Sequence, residues 1–418
     1  MGNARREKVR WQLVAAVYAA SLLYVLFQGG KTSLMLFMIL NLLLAYLLVG
    51  RWSGISGVKG ARSFVSANAS VGAEHALSSG HSVEVSLQVK IPGVYPIPYV
   101  LVRDVLIRHD GQKHEFEASF VPSWKREGEV SYRTPALPRG EYRFGRTLCS
   151  TYDVFGLFEH TGEFEAEAGF SVLPATVPVR RWHGIQRGAR GVYSHAAAPR
   201  SSKETTQING VREYLHGDRL SRVHWNATAK TGDWKSKEFE RESLPRTMIV
   251  LDRSRSAYAG GKEEAFELAV SVAASLMESG HRSDTAIGLL SAGEKTVVLP
   301  PKQGIDQRSA VMKHLTSADM DGGGNLSAAL QSSEGLLPAG MFVVLVTADS
   351  GKNALSCMEW LQKRGMSPCL LHIAPGRGTG ETAADRQLYQ LMRGRGWPVV
   401  AVSQLQELPS LLEGGGAA

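Results

Sequence analysis

Thr247-Met248-Ile249-Val250-Leu251-Asp252-Arg253-Ser254-Arg255-Ser256 decides the fold of this chain. Met248 to Leu251 is apolar without a polar residue between, which is how a strand buried on both faces reads. It ends abruptly in a carboxylate followed by hydroxyls at every second position. From there to the C-terminus helical and strand patterns alternate. Lys262 to Ser279 reads as an amphipathic helix with Phe266, Leu268, Ala269, Val272 and Leu276 inward, stopped by Gly280. Strands are expected at 286–290, 295–299, 341–347, 368–373 and 398–402. Helices are expected at 308–315, 326–336, 353–364, 383–393 and 403–412. Such alternation predicts a mainly parallel, doubly wound sheet covered on both faces over residues 247–418. Ligands of these sheets bind at the carboxyl ends of the strands. Asp252, Ser254 and Ser256 stand at such an end, where three oxygens can point at one hard cation. The plainer reading is a polar turn with serine caps.

Residues 181–246, just upstream, are polar, basic and rich in tryptophan. Arg180, Arg181, Arg187, Arg190 and Arg200 lead into a dense run from Val211 to Lys230. Asp218, Ser221 and His224 supply the residue types of a nucleophilic triad, but no G-x-S-x-G elbow surrounds the serine. His216 and His224 are eight apart, which does not make a one-face helical metal pair. Two readings remain. Arg–carboxylate pairs could lock the segment onto a neighbouring domain. Alternatively Arg212, Asp218, Arg222, His224, Trp225 and Lys230 form an exposed surface for a protein partner, since Arg and Trp are enriched at binding hot spots.

Residues 60–180 alternate instead. Val83, Val85, Leu87 and Val89 fall on one face of a strand, and Glu84, Ser86, Gln88 and Lys90 on the other. Similar runs occur at 99–107, 115–121, 129–133, 142–149 and 170–173, separated by turn residues such as Asp110-Gly111 and Pro138-Arg139-Gly140. Many short strands of this kind predict a β-sandwich-like domain. Asp153-Val154-Phe155-Gly156-Leu157-Phe158 reads as a turn with aromatic plugs.

The first 52 residues form an anchor. Trp11 to Phe27 and Thr32 to Gly50 contain no charged residue, and only Gln28 to Lys31 separates them. The second stretch spans roughly 28 Å as a helix, close to the hydrocarbon thickness of a bilayer. A transmembrane helical hairpin is therefore expected. No cleavage site separates the stretches, which argues against a signal peptide. Arg5, Arg6, Lys8 and Arg10 precede the hairpin, and Arg51, Lys59 and Arg62 follow it, while the tight loop holds only Lys31. The positive-inside rule places the N-terminus and the soluble domains in the cytoplasm.

Composition agrees with a folded protein: 44% of residues are hydrophobic and 21% charged, outside the disordered range. The net charge of +8 is spread out, with no zinc-finger spacing and no aromatic–basic run, so a nucleic-acid partner is not expected. Cys149, Cys357 and Cys369 are odd in number and far apart, which fits buried thiols in a reducing compartment.

The C-terminal alternation with Asp252-x-Ser254-x-Ser256 resembles the von Willebrand factor A domain and its metal-ion-dependent adhesion site. On that resemblance Asp252, Ser254 and Ser256 form the first metal-binding loop. Gly322-Gly323-Gly324-Asn325-Leu326 would be the second, although Gly324 stands where the family carries Thr, so one oxygen ligand is missing. The third loop, Thr347-Ala348-Asp349-Ser350, offers Asp349 with an extra residue before it, and Asp319 and Asp321 lie near the gap. The implied cofactor is Mg2+ or another divalent cation. A longer resemblance runs through Asp153–Phe158, Arg212-Glu213-Tyr214, Gly217-Asp218, Arg222, His224-Trp225, Thr228-Ala229-Lys230 and the strand end. It is to a bacterial family of membrane proteins, the domain-of-unknown-function-58 or YeaD-like family. That resemblance implies a von Willebrand A-like fold and association with a MoxR-type AAA ATPase and a transglutaminase-like membrane protein. The expected function is a non-enzymatic membrane scaffold or adaptor; the alternative is a cell-envelope hydrolase or processing factor using residues 212–230.

Overall fold

The computed structural model describes residues 2–50, 53–66, 76–180, 204–241, 246–258, 263–349, 351–374 and 383–413, and the chain divides into two compact units, Met1–Leu173 and Pro174–Ala418. Arg181, Arg187, Arg190, Arg200 and Ser350 lie outside the described residues, as do Arg51 and Trp52.

The first unit opens with helices α1 (Gly2–Gln28) and α2 (Lys31–Gly50). Gly29 and Gly30 reverse the chain with φ of 61° and 95°, a conformation that side-chain-bearing residues adopt at a cost. Both helices are long and apolar enough to cross a membrane. Only 6% and 17% of their most apolar stretches is buried, and Leu13, Phe27, Met38 and Leu42 point outward. That is the reverse of a soluble core helix. Between the helices Tyr18 donates a hydrogen bond to Asn41 at 3.2 Å.

The rest of this unit is β-structure in two sheets. Strands β1 (Lys59–Ser66), β3 (Val83–Lys90) and β6 (Glu127–Arg133) form an antiparallel sheet in the order β1-β3-β6. The second sheet runs β2 (Ala76–Ser78), β10 (Gly169–Leu173), β7 (Gly140–Phe144), β4 (Val100–Arg108), β8 (Thr147–Tyr152), β9 (Glu159–Phe164), with β5 (Lys113–Phe120) also on β4. The expected alternation of β3 holds: Val83, Val85 and Leu87 are fully buried and Val89 nearly so. They pack against Val100, Val102, Cys149 and Phe164 in one cluster and Leu106, Tyr142, Phe144 and Phe170 in another, so the two sheets share their cores. Each of these aliphatics contributes about 1.5–3 kcal/mol on burial. One expectation is corrected. Residues 142–149 are two strands, because at Gly145 the chain jogs and its amide turns to Val105 O, while β7 and β8 both stay on β4.

In the second unit the connecting segment is itself structured, which its polar composition concealed. β11 (Glu204–Glu213) and β12 (Lys235–Arg241) pair antiparallel, and the short helix α3 (Trp225–Thr231) lies between them in sequence. Then comes a six-stranded sheet of β13 (Thr247–Asp252), β14 (Ile287–Ala292), β15 (Val297–Lys302), β16 (Phe342–Thr347), β17 (Ser367–Ile373) and β18 (Val399–Val402). Its order is β15-β14-β13-β16-β17-β18, parallel throughout except the edge strand β15. Strand order therefore reverses between β13 and β16. Met248 and Val250 point to a face covered by helices Leu326–Ser332, Lys352–Lys363 and Ala383–Gly394. The helix Glu263–Arg282 packs on β13, β14, β16 and β17 and buries Phe266, Ala269, Val272 and Leu276. The expected helix 326–336 stops at Ser332 and continues as a single tight turn, Glu334–Leu336.

Candidate functional site

Two constructions in the second unit gather the residues singled out from sequence. The first lies at the carboxyl ends of β13 and β16, where the order of the sheet reverses and such folds leave a crevice. Asp252 ends β13 and is 2% exposed. One carboxylate oxygen accepts from the amide and hydroxyl of Ser254, at 2.9 and 2.7 Å. The other accepts from Thr347, at the end of β16, at 2.7 Å. The Thr347 hydroxyl in turn accepts the Asp349 amide at 3.0 Å. Burial raises the carboxyl pKa of Asp252 and the charge of Asp349 adds to this, while the bonds from Ser254 and Thr347 oppose it.

The glycine-rich loop is drawn into the same place. Ser254 and Gly322 form a parallel bridge, with Arg255 N on Gly322 O at 2.9 Å and Gly322 N on Arg253 O at 3.2 Å. Asn325 caps helix Leu326–Ser332 by accepting the Ser327 amide, and its amide nitrogen reaches Asn353 at 3.3 Å. The three expected loops thus converge, but their oxygen donors are unequal. Ser256 and Gly324 are exposed. Asp321, which could have compensated for Gly324, is paired with the buried Arg253 at 3.3 Å and accepts the Glu294 amide. Asp349 caps the next turn through Gly351 N. Among the described residues no group of three or more His, Cys, Asp or Glu side chains is placed to hold a metal ion. Asn325 and Thr347 lie in the second and third loops read from sequence, but their roles as helix cap and as donor to Asp252 were not read there; positions beside glycines and at a strand end were the only signal.

The second construction is the β11–β12 hairpin with α3. Arg212 donates to Asp218 at 2.7 Å and the Leu215 amide donates to its other oxygen, which together hold that carboxyl below its usual range. The ion pairs described here, Arg212–Asp218 and Lys235–Glu213, both join residues of the same segment rather than a neighbouring domain. His224 caps α3 by accepting the Ala227 amide on Nδ1 at 3.1 Å, which leaves its proton on Nε2. Ser221 is exposed. Asp218 and His224 thus serve separate local structures, and no described bond joins them to each other or to Ser221.

What the hairpin does assemble is an aromatic surface. Tyr214 and Trp234 lie 5.3 Å apart between ring centroids, and Trp225 and Trp234 lie 6.2 Å apart. Trp225 is 62% exposed and Trp234 49%, flanked by Leu215 and Leu220 at 64% each. Arg219 and Lys230 stand exposed beside them and Arg222 is half-buried. Val223 is 1% exposed and pins this surface to β12, while the His224 amide bonds Lys235 O at 2.8 Å.

The described residues thus comprise two helices apolar enough to cross a membrane, a β-rich unit and an α/β unit that carries this hairpin. Residues 210–364 match the family model described as "Protein of unknown function DUF58". Over 325 residues the chain is 27% identical to "Uncharacterized protein YeaD" of Bacillus subtilis, covering 74% of this chain and 75% of that one. Among solved structures, proximal thread matrix protein 1 from the mussel byssus aligns at 15% identity and a TM-score of 0.29, over 41% of this chain and 46% of that one. The C-terminal domain of wzt aligns at 13% identity and a TM-score of 0.25, over 29% and 77%. Likenesses this distant carry no argument.

Proposed function

We propose that this chain is a non-enzymatic membrane-anchored adaptor that captures a protein partner on the aromatic face of its β11–β12 hairpin. One observation carries the reading: two tryptophans and two leucines stand half-exposed or more on a hairpin that internal hydrogen bonds hold rigid. Exposed large apolar groups so clustered mark binding surfaces, and Trp with Arg is the composition of hot spots. The basic rim formed by Arg219, Arg222 and Lys230 suits a partner with an acidic rim. Family resemblance suggests a MoxR-type AAA ATPase as that partner and a transglutaminase-like membrane protein as a second.

In this reading α1 and α2 span the membrane, with the N-terminus and both soluble units on the cytoplasmic side, because basic residues cluster at the outer ends of the hairpin. The α/β unit is taken as von Willebrand A-like, on the strength of its strand order, its single antiparallel edge and the loops meeting at Asp252. That strand-end face is a second docking candidate, with Asp252, Ser254, Ser256 and Asp349 as the donors available to a divalent cation. It is supported less well, since Asp252 already accepts three hydrogen bonds from the protein.

Affinity purification of the full chain from detergent-solubilised membranes tests both. Trp225→Ala and Trp234→Ala are each expected to weaken capture by about tenfold or more, with membrane insertion unchanged and chelator without effect. Equal capture by wild type and both variants would overturn the hairpin reading. Loss on Asp252→Ala or on chelation alone would transfer the function to the strand ends.

A further inference from the structure

The strand register of the first unit brings three loops to one end. Lys90 pairs with Glu127, Val100 with Phe120, and Leu101 with Ser150. Hence the loops 91–99, 121–126 and 153–158 share that end, while 79–82, 109–112 and 134–139 share the other. The shared end is also where the chain arrives from α2: Arg126 donates to Ser53 O, and Ile91 N bonds Arg126 O at 3.0 Å. Ile91 and Phe158 of these loops are buried, but five other large apolar side chains are turned outward. Val94 is 99% exposed, Val121 75%, Trp124 104%, Val154 69% and Phe155 60%. The described residues of the opposite loops contain no exposed large apolar side chain.

The third loop is also held against both helices, at their outer ends. Arg10 donates to Leu157 O at 2.7 Å, and Trp11 lies 4.4 Å from Phe158 between ring centroids. The Val154 amide donates to the Tyr46 hydroxyl at 3.2 Å, and Phe155 meets the Tyr46 ring edge-on at 6.1 Å. Tyr95 of the first loop is 5.9 Å from the same Tyr46. Arg10, Trp11 and Tyr46 are the residue types that settle at the headgroup level of a spanning helix. Asp153 keeps the loop in shape by accepting the amides of Phe155, Leu157 and Phe158, at 2.8, 3.2 and 2.6 Å. Asp153–Phe158 is therefore a rigid corner that points Val154 and Phe155 away from the sheets at the depth of Tyr46.

We infer that this end of the β-rich unit is a lipid-interface surface, which seats Val94, Trp124, Val154 and Phe155 in the headgroup layer around the two helices. Exposed aromatic and aliphatic tips on a preshaped base gain by entering that layer to a depth of about 5–10 Å. Lys125 beside Trp124 adds attraction to anionic lipid. The assignment rests on α1 and α2 crossing the bilayer.

The test uses full-length protein in vesicles of phosphatidylcholine and phosphatidylglycerol, labelled with an environment-sensitive dye at single introduced cysteines. Native Cys149, Cys357 and Cys369 are buried with thiols pushed up to about 12, so they do not compete for label. Phe155→Cys and Trp124→Cys report the surface, Gln112→Cys the opposite end, and Leu22→Cys the middle of α1. Headgroup-level nitroxide lipid is expected to quench the labels at 155 and 124 at least about threefold more than the label at 112, the contrast set by an insertion depth of this size. Deep-chain nitroxide is expected to quench the label at 22. Equal quenching at 155, 124 and 112, with the label at 22 quenched, overturns the surface and leaves the anchor standing. No quenching at 22 overturns the anchor and the surface with it.

Discussion

Arg62→Leu is the substitution whose cost the structure sets most sharply. The Arg62 guanidinium, on β1, is wholly buried between the two sheets of the first unit and bonds Asp104 at 2.7 Å; the aspartate side chain is 1% exposed. The same guanidinium reaches Thr147 at 2.9 Å and Ala166 O, and lies 4.0 Å over the Phe144 ring. Asp104 is filled from the other sheet by Tyr132 at 2.5 Å, and from its own by Thr147 at 3.1 Å and Val105 N at 3.1 Å. Removing the arginine leaves a carboxylate in the core with neutral donors alone, a change that costs about 3–5 kcal/mol. Arg62→Leu/Asp104→Leu removes both charges, and its penalty should fall below the sum of the two single changes, because no unpaired charge is left buried and only the neutral groups, Tyr132, Thr147, the Val105 amide and the Ala166 carbonyl, lose a partner. Since the chain holds two compact units, the readout has to belong to the first. Urea-dependent proteolysis of the detergent-solubilised protein, followed through an N-terminal tag, supplies it. The reasoning is refuted if the double variant is destabilised by the sum of the single effects, which would mean that the two charges do not see one another.

Three further outcomes are expected. Native protein should leave all three thiols unmodified by maleimide at neutral pH, because burial pushes each up to about 12 and denies access; mass spectrometry before and after urea checks this, and rapid labelling without urea would contradict the packing of Cys149, Cys357 and Cys369. Gly162→Ala should destabilise the first unit by about 1–3 kcal/mol, since a β-carbon there runs into the Ile55 carbonyl just beyond α2; the tagged proteolysis assay reads it, and a neutral result would show that the turn at Ile55–Gly57 yields freely. Asp218 titrates below its ordinary value because of Arg212 first and the Leu215 amide second. The unfolded chain thus takes up that proton before the folded one, so the contribution is full above about pH 4 and is lost as pH falls through the folded pKa. Arg212→Leu should move the acid-side change in Trp225 and Trp234 emission to higher pH, and an unmoved transition would remove Arg212 from the account.

The elements that could be read from sequence are those whose burial imposes a period. Val83 to Val89 alternate because one side faces the core, and Met248 to Leu251 do not because both sides do. The hairpin β11–β12 escaped because Arg212, Glu213, Lys235 and Lys237 supply polar groups on both sides of its strands, and its shape is set by caps and pairs such as His224 to Ala227. β9, which reads Glu-His-Thr-Gly-Glu-Phe, escaped for the same reason. Arg62 at a strand position looks like a solvent-facing charge; only the approach of Asp104 from the other sheet makes its burial tolerable. Asp153–Phe158 was legible as a turn with aromatic plugs, and Phe158 is indeed buried. Which of its aromatics turned outward depended on three amides converging on Asp153, which spacing alone does not reveal.

The hydrogen bonds of Asp252 bear on how the strand-end face can work. A carboxylate serving as an open cation ligand keeps lone pairs facing the crevice, whereas here Ser254 and Thr347 take both oxygens and tie the end of β13 to the end of β16 across the switch point. Burial raises the pKa of such a group, so this tie holds the two strands at some electrostatic cost. A partner or cation that drew the carboxylate outward would have to break the Thr347 bond, and the two strand ends would be freed to shift. The hairpin face asks for no such exchange: Trp225 and Trp234 are already presented, and the pairs beneath them are closed. On the proposed reading, binding there needs no rearrangement of the hairpin, so a tryptophan substitution should act on capture directly, while a change at Asp252 should act first on the sheet.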